Sequence, residues 1–253
     1  MTLAIYPSLQ DRVVFVSGGG TGIGAAMVSA FAGQGARVAF VDILEDASRA
    51  LIESLSGARH APVFHPCDVT DIAALQAAIE RVKSEVGPVG TLINNAANDT
   101  RHSVEEVTPE YWEKTMAVNL RHQFFAAQAV RPQMKALGGG TIVNFSSIAW
   151  MFGGGGFAVY ASAKAAVVGM TNSLAREFGP DNIRVNAIAP GAVVTERQLR
   201  LWYNESQADE TAQRQAIRRR LLPEDIARTA LFLASEDSAM VTKQCIVVDG
   251  GLR

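Results

Sequence analysis

The sequence predicts an α/β fold: one doubly wound domain, residues 1–253, with a parallel sheet of about seven strands and helices on both faces. Three observations predict it. Short apolar runs alternate with longer helical segments along the chain. The runs are apolar throughout, which is typical of strands buried on both faces of a parallel sheet. Polar residues suited to ligand binding stand directly after several runs, where the carboxyl ends of parallel strands meet.

The predicted elements follow one another in a regular order. Strands are expected at 12–17, 37–42, 62–65, 91–94, 141–145, 182–188 and 245–248. Helices are expected at 22–34, 44–56, 71–86, 109–137, 157–178 and 223–234. The helix at 109–137 begins after Thr108 with Pro109 and Glu110, a capping-box-like start with proline at the first helical position. The polar, charged segment 196–220 interrupts the alternation, and we expect it to form a lid over a substrate.

The composition excludes several classes of protein. Hydrophobic residues make up 48% of the 253 residues, which suits a globular core, and a net charge of -2 gives no reason to expect nucleic acid or a membrane as partner. Cys67 and Cys245 are the only cysteines, so we expect no disulfide framework and a cytoplasmic location. The chain begins without the pattern of a signal peptide and contains no apolar run long enough to span a bilayer. The four histidines show no metal-binding spacing.

A glycine cluster follows the first strand and opens the next helix. Gly18, Gly22 and Gly24 allow a tight turn and a close approach to a pyrophosphate, while the start of the helix offers free N–H groups. The alternative is a flexible turn, but the strand–turn–helix context favours a dinucleotide. Three further residues complete the predicted cofactor loop: Ser17 directly before the first glycine, and Thr21 and Ile23 between the glycines.

Asp42 ends the second strand, where a carboxylate can accept both hydroxyls of an adenosine ribose and repel a 2′-phosphate. The alternative is that Asp42 caps the helix that follows. Neither Thr21 nor Ile43 supplies a cation for a 2′-phosphate, so NAD is preferred over NADP. Further cofactor contacts are expected after the third and fourth strands, although asparagines after a strand also form ordinary turns. They are Asp68, Val69, Asn95, Ala96 and Ala97.

Tyr160 and Lys164 are spaced so that both side chains lie on one helix face. A nearby ammonium stabilises a phenolate, so we expect the pKa of Tyr160 to be lowered and its proton to be drawn off near neutral pH. Taken alone, such a pair is more often a solvated helix face. The pair becomes a candidate catalytic site in the company of the glycine loop, Ser147 and Asn119.

Over essentially its full length the chain resembles the short-chain dehydrogenases/reductases, which have a Rossmann-type fold. The matching residues are Gly18, Gly22-Ile23-Gly24, Asp68-Val69, Asn94-Asn95-Ala96, Asn119, Ser147, Tyr160 with Lys164, Pro190-Gly191 with Thr195, and Val248-Asp249-Gly250-Gly251. Ala97 and Lys243 depart from the family pattern, which usually has glycine at both positions.

The resemblance implies a role for each matching side chain. Tyr160 would be the acid and base, Ser147 would bind the reacting oxygen, and Lys164 would bind the nicotinamide ribose. Asn119 would hold a water in a proton relay. Pro190, Gly191, Val193 and Thr195 would contact the nicotinamide side of the cofactor, with Thr195 at the carboxamide. The family also suggests a homotetramer built on the paired helices 109–137 and 157–178.

A closer similarity is to bacterial sugar 1-dehydrogenases of the D-galactose and D-xylose type, which oxidise the anomeric hydroxyl of an aldopyranose to a lactone with NAD. Four segments carry it, at 94–102, 117–125, 147–150 and 195–198. That subgroup shares Ala97. The segment 151–156 does not follow its pattern, which leaves the identity of the sugar open.

Polar donors and tryptophans suit a sugar, which offers hydroxyls and apolar ring faces. The expected substrate contacts are Asn98, Arg101, His102, Ser147, Trp150, Tyr160, Arg197, Gln198 and Trp202. Arg101 and Arg197 could instead be solvated loop charges; if both point inward, an anionic sugar such as a uronate or a sulfonated glucose is the alternative substrate.

Two further classes of protein compete with a sugar dehydrogenase. An oxoacyl or steroid reductase of the same family is one of them, and Thr21 and Asp42 speak against the NADP that an oxoacyl reductase usually requires. A non-catalytic binding protein on the same fold is the other, since a fold alone does not establish activity. The intact set of Ser147, Tyr160, Lys164 and Asn119 disfavours it.

Overall fold

A computed structural model describes residues 4–253 of the chain. Seven parallel strands form one sheet in the order β3-β2-β1-β4-β5-β6-β7. The strands are β1 (Val13–Ser17), β2 (Arg37–Asp42), β3 (Val63–Pro66), β4 (Thr91–Asn94), β5 (Gly140–Phe145), β6 (Ile183–Pro190) and β7 (Cys245–Val248). The predicted fold class is thereby confirmed.

Helices connect the strands and cover the sheet. They are α1 (Gly22–Gly33), α2 (Glu45–Ser54), α3 (Ile72–Glu85), α4 (Pro109–Met116), α5 (His122–Ala136), α6 (Ala149–Phe152), α7 (Ala158–Phe178), α8 (Glu196–Leu201), α9 (Glu205–Arg214) and α10 (Pro223–Ala234). The short α6 and a 3₁₀ turn at Pro7–Leu9 were not expected from the sequence. Within residues 4–253, none of the helices has the length and apolar character needed to cross a membrane.

The core lies in two layers because successive strand residues point to opposite faces of the sheet. In β1, Val14 and Val16 belong to the cluster that includes Phe31 of α1 and Leu231 of α10. Phe15, between them, packs on the other side, in the cluster that includes residues of α3, α5 and α7. Strands that are apolar at every position are therefore buried from both sides, as the sequence predicted.

The order of the strands reverses beside β1, which pairs with β2 on one side and β4 on the other. The connections leaving these strands run to opposite sides of the sheet and open a crevice at their carboxyl ends.

Cys67 and Cys245, the two cysteines, are both free thiols.

The prediction of a single helix over 109–137 is wrong in one respect. A π-helical turn at Ala117–Arg121 separates α4 from α5. Such a turn holds one extra residue per turn and is not visible in a helical hydrophobic pattern. It places the Asn119 side chain against the loop that follows β4, where it hydrogen-bonds to Asn98.

Candidate active site

The loops after β1 and β4 are joined at the reversal of the sheet. The hydroxyl oxygen of Ser17 accepts hydrogen bonds from the backbone N–H groups of Asn95, at 3.1 Å, and Ala96, at 3.2 Å. The Asn95 amide donates in turn to the Gly18 carbonyl at 2.8 Å. Four of the predicted cofactor residues therefore form one rigid junction at the mouth of the crevice.

The glycine loop is packed so closely that side chains would not fit. A Cβ at Gly24 would lie 1.8 Å from the Gly18 carbonyl oxygen, and one at Gly18 would lie 2.8 Å from the Ala96 Cα. Gly18 also has a φ of 68°, in the left-handed region that favours glycine. The loop can therefore turn sharply into α1 and present its backbone to a ligand.

The start of α1 fits a dinucleotide phosphate. Thr21 occupies the N-cap position, but its side chain makes no capping hydrogen bond. The first N–H groups of the helix therefore have no side-chain acceptor and are available to an anion, which the helix dipole also favours. A nicotinamide dinucleotide would be held here by the loop 17–24, with Ile23 in the first turn of α1.

Asp42 faces the glycine loop from the end of β2. Its two carboxylate oxygens accept hydrogen bonds from the backbone N–H groups of Gly20, at 2.8 Å, and Leu44, at 2.9 Å. The alternative that Asp42 caps the following helix is not what the structure shows, because α2 begins after Leu44. Asp42 is buried, and its carboxylate lies at the edge of the predicted adenosine site.

Residues after β3 and β6 complete the same edge. The Asp68 carboxylate accepts from the backbone N–H of Thr70 at 2.8 Å, and Val69 is buried. Gly191 packs against the chain after β7: a Cβ there would lie 2.7 Å from the Asp249 Cα. Val193 is buried, and Thr195 lies so near the glycine loop that a Cβ at Gly22 would meet its methyl group at 3.3 Å.

The predicted catalytic side chains meet between β5 and α7. The Lys164 ammonium is buried, donates to the Phe145 carbonyl at 2.8 Å and lies 5.6 Å from the centre of the Tyr160 ring. The Ser147 side chain lies close enough to that of Tyr160 to lower the pKa of the phenol by hydrogen bonding. The neighbouring Ser146 faces away and donates to the Lys164 carbonyl at 2.7 Å, which makes Ser147 the serine of the site.

The expected lowering of the Tyr160 pKa is wrong for the chain without ligands. Burial raises the pKa of Tyr160 to about 12, although the Ser147 hydrogen bond acts in the opposite direction. Burial likewise lowers the pKa of Lys164 to about 7. Both charged forms lose hydration in the same enclosed space, and the ammonium is directed at a carbonyl rather than at the phenol oxygen.

Asn119 is fully buried, and its side chain is hydrogen-bonded to backbone groups of two other residues. Its amide N–H₂ group donates to the carbonyls of Asn98 and Thr115, both at 2.9 Å, and its oxygen accepts from the Asn98 N–H at 3.0 Å. Asn119 thus fixes the loop that starts the substrate side of the site. The water relay implied by the family resemblance stays a prediction.

Arg197 and Gln198 of α8 meet the loop after β4 through an unexpected partner. Asp99 forms an ion pair with Arg197 and accepts from the Gln198 amide at 2.6 Å. The second guanidinium nitrogen of Arg197 donates to the Asn98 side chain at 3.0 Å. Asp99 was not among the residues expected from the sequence, although it is the only carboxylate in the segment 94–102.

The remaining expected substrate residues fall into two groups. The Arg101 guanidinium lies 5.0 Å over the Trp202 ring, and the Trp202 indole N–H is buried without a hydrogen-bond partner among the described residues. Trp150, in α6, is exposed. His102 is buried. Its backbone N–H donates to the Gly156 carbonyl at 2.8 Å, and its ring nitrogen Nε2 accepts from the Val159 backbone N–H at 3.4 Å. His102 therefore supports the site from behind.

Tyr203 is a second residue that the sequence did not lead us to expect at the site. It donates its hydroxyl to the Val193 carbonyl at 3.1 Å and so ties the end of α8 to the cofactor side. Burial raises the pKa of Tyr203 to about 12.

No cluster of three or more histidine, cysteine, aspartate or glutamate side chains suited to a metal ion occurs in residues 4–253.

Comparisons with known proteins agree with this geometry. A family model described as enoyl-(acyl carrier protein) reductase matches residues 18–253. A protein of Rhizobium meliloti (strain 1021), described as a probable galactose dehydrogenase, is 50% identical over 98% of this chain and 97% of its own. The D-xylose 1-dehydrogenase of Caulobacter vibrioides (strain NA1000 / CB15N) is 45% identical over the full length of both chains. The solved structure of a double mutant of a Serratia marcescens short-chain dehydrogenase/reductase superimposes with a TM-score of 0.89 at 36% identity, covering 97% of this chain and 99% of that one.

Proposed function

This chain belongs to the short-chain dehydrogenase/reductase family, and from that premise we propose that it oxidises the anomeric hydroxyl of an aldose to the lactone with NAD as hydride acceptor. The observation that carries the proposal is the meeting of Ser147, Tyr160 and Lys164 beside a glycine loop that fits a dinucleotide. The near full-length similarity to galactose and D-xylose dehydrogenases supports an aldose as substrate. The polar side chains around the site suit hydroxyls better than an acyl chain.

The catalytic side chains would act on the anomeric O–H and C–H bonds. A nicotinamide dinucleotide, when bound, supplies the acceptor for the hydride. Ser147 holds the substrate oxygen, and Tyr160, as the phenolate, takes the hydroxyl proton while the C–H bond breaks with its electron pair. The products are the lactone and one proton retained on the protein.

Lys164 would stabilise that phenolate by its charge, since its ammonium lies 5.6 Å from the centre of the Tyr160 ring. Burial raises the pKa of Tyr160 to about 12 and lowers that of Lys164 to about 7, so both charged forms have to be stabilised when substrate and cofactor bind. A bound, positively charged nicotinamide would favour the phenolate in the same way.

The preference for NAD rests on Asp42. Its buried carboxylate lies against the glycine loop, where it would accept the ribose hydroxyls and repel a 2′-phosphate. We also propose that the protein works in the cytoplasm, which its free cysteines suit, and that it forms a homotetramer through α4, α5 and α7. Trp112 of α4 and Phe124 of α5 are exposed at 41% and 42%, which suits such an interface.

The proposal is tested by following NADH formation with a panel of neutral aldoses, including D-galactose and D-xylose. The wild type should turn over at least one of them. Tyr160→Phe should lower turnover at least ~10²-fold, because it removes the proton acceptor, while NAD binding stays close to wild type. Tyr6→Phe removes the same hydroxyl group far from the site and should leave turnover unchanged. Turnover by Tyr160→Phe within a few-fold of wild type would contradict the mechanism.

A further inference from the structure

Asp99 lies where two walls of the active site meet. Its carboxylate belongs to the loop after β4, and both of its oxygens are engaged by α8: one by Arg197, the other by Gln198 at 2.6 Å. The Asp99 side chain is 26% exposed and the Arg197 side chain 39% exposed, so neither charge is sealed in the core and both can meet a ligand.

The charges of this pair reach the reacting groups. The Asp99 carboxylate raises the pKa of Tyr160, and the Arg197 guanidinium lowers it. Asp99 also raises the pKa of Lys164. The Asp99–Arg197 pair is therefore near enough for both of its charges to act on the phenol.

Arg197 is the cation that an anionic sugar would need, but the structure commits it elsewhere. It pairs with Asp99 and donates to the Asn98 side chain at 3.0 Å. An incoming carboxylate or sulfonate would have to compete with Asp99 for the guanidinium and would lie near a partly desolvated negative charge, which is unfavourable. A neutral sugar meets no such cost, and its hydroxyls can donate to the carboxylate.

We propose that Asp99 is a specificity-determining residue that restricts the substrate to neutral polyhydroxylated sugars by occupying Arg197 and repelling anions. The inference rests on the proposed sugar dehydrogenase function. It decides between the neutral and the anionic sugar that the sequence left open. It also gives the contact between the loop and α8 a role in recognition in addition to closure of the site.

The test compares D-galactose with D-galacturonate, which share ring stereochemistry and differ in a carboxylate at C6. Wild type should prefer D-galactose in kcat/KM. Asp99→Asn keeps the size of the side chain, removes its charge and frees Arg197, so the ratio of galactose to galacturonate efficiency should fall at least ~10-fold, mainly through a lower KM for galacturonate. Adding Arg197→Gln to Asp99→Asn should abolish that gain, because the cation is then missing.

Glu105→Gln is the matched control, since it removes the same charge from an exposed position farther along the same loop and should leave the ratio unchanged. A ratio within about twofold of wild type in Asp99→Asn, even with both activities lowered, would reduce Asp99 to a structural latch and overturn the inference. A wild-type preference for galacturonate would overturn it as well. Absence of turnover with every sugar would instead contradict the proposed function.

Discussion

Asp42 organises the cofactor loop before any ligand is bound. One carboxylate oxygen holds the Gly20 N–H at 2.8 Å, and the other holds the Leu44 N–H at 2.9 Å. The negative charge is therefore fixed in position by two backbone groups. A carboxylate held in this way would discriminate between cofactors by charge, because it cannot swing away from a 2′-phosphate.

Replacing Asp42 by asparagine should weaken the preference for NAD. We expect the ratio of kcat/KM with NAD to that with NADP to fall at least ~10-fold in Asp42→Asn, because the repulsion of the phosphate is removed while the side-chain size is kept. Steady-state kinetics with both cofactors measures the ratio. Asp46→Asn, at an exposed position in α2, is the control and should not change it. Equal efficiency of the wild type with both cofactors would argue against the ribose role.

Local motifs made the candidate catalytic residues predictable. Contacts between residues that are far apart in the sequence could not be predicted in this way. Tyr160 and Lys164 share a helix and the glycines follow a strand, so local spacing indicated their use once these motifs were found together with Ser147 and Asn119. Asp99 and Arg197 are brought together by the packing of α8 on a distant loop, and no local pattern reports such a contact. The direction of the Tyr160 pKa shift was missed for a related reason: it depends on burial and on where the Lys164 ammonium points.

Among the elements, the segment 196–220 contains two helices that are weakly tied to the core. No residue of α8 is buried, and α9 buries only Ala208 and Ala212. The segment is held mainly by polar contacts, including the ion pairs of Arg220 with Glu205 and Asp209. The sequence indicated a lid from the charge of this segment, but its division into two helices depends on the caps at Thr195 and Asn204, which the charge pattern does not reveal.

Hydrogen exchange should show directly whether the proposed lid opens. We expect amides in 196–214 to exchange faster than those of β5 and β6 in the free protein, because few apolar contacts hold α8 and α9, and to slow on addition of NAD with a turned-over aldose. Amides of β5 serve as the internal control, since they should not respond to ligand. Exchange in α8 and α9 as slow as in β5 without ligand would show that the segment does not open.

At the scale of the whole molecule, the burial of Lys164 costs stability. Its folded pKa of about 7 lies below the ordinary value of 10.5, so between these values the unfolded chain binds more protons than the folded one. The stability of the free protein should therefore rise with pH through that window, as far as this group contributes, and carry the full penalty below it. Under the proposed function, this cost is offset by the role of the Lys164 ammonium, which would stabilise the Tyr160 phenolate.

Lys164→Met should expose this cost in a thermal unfolding series. We expect the Tm of the variant, relative to wild type, to become more favourable by at least ~4 °C as the pH is lowered from about 10 to about 7, while turnover is lost. The Phe145 carbonyl keeps the Gln123 amide at 3.4 Å, so it is not left without a donor. Lys114→Met, at an exposed position in α4, should show no such trend. A Tm difference independent of pH would contradict the assignment.

The architecture itself was the most predictable level. Alternation of apolar runs and helical segments dictates a parallel sheet covered on both faces, and the carboxyl ends of its strands then gather the functional residues whatever their distance in the chain. The sequence could not reveal the π-helical turn at Ala117–Arg121, because a single extra residue leaves the apolar periodicity nearly intact.

The two native thiols open a practical route to watching the enzyme work. Burial raises the pKa of Cys67 to about 11 and also raises that of Cys245. Since the thiolate is the form of cysteine that attacks a maleimide, both should label slowly at neutral pH. A cysteine introduced at the exposed Gln213 of α9 would then react with a fluorescent maleimide selectively, without prior removal of the native cysteines. The fluorophore would report closure of the proposed lid, segment 196–220, in real time.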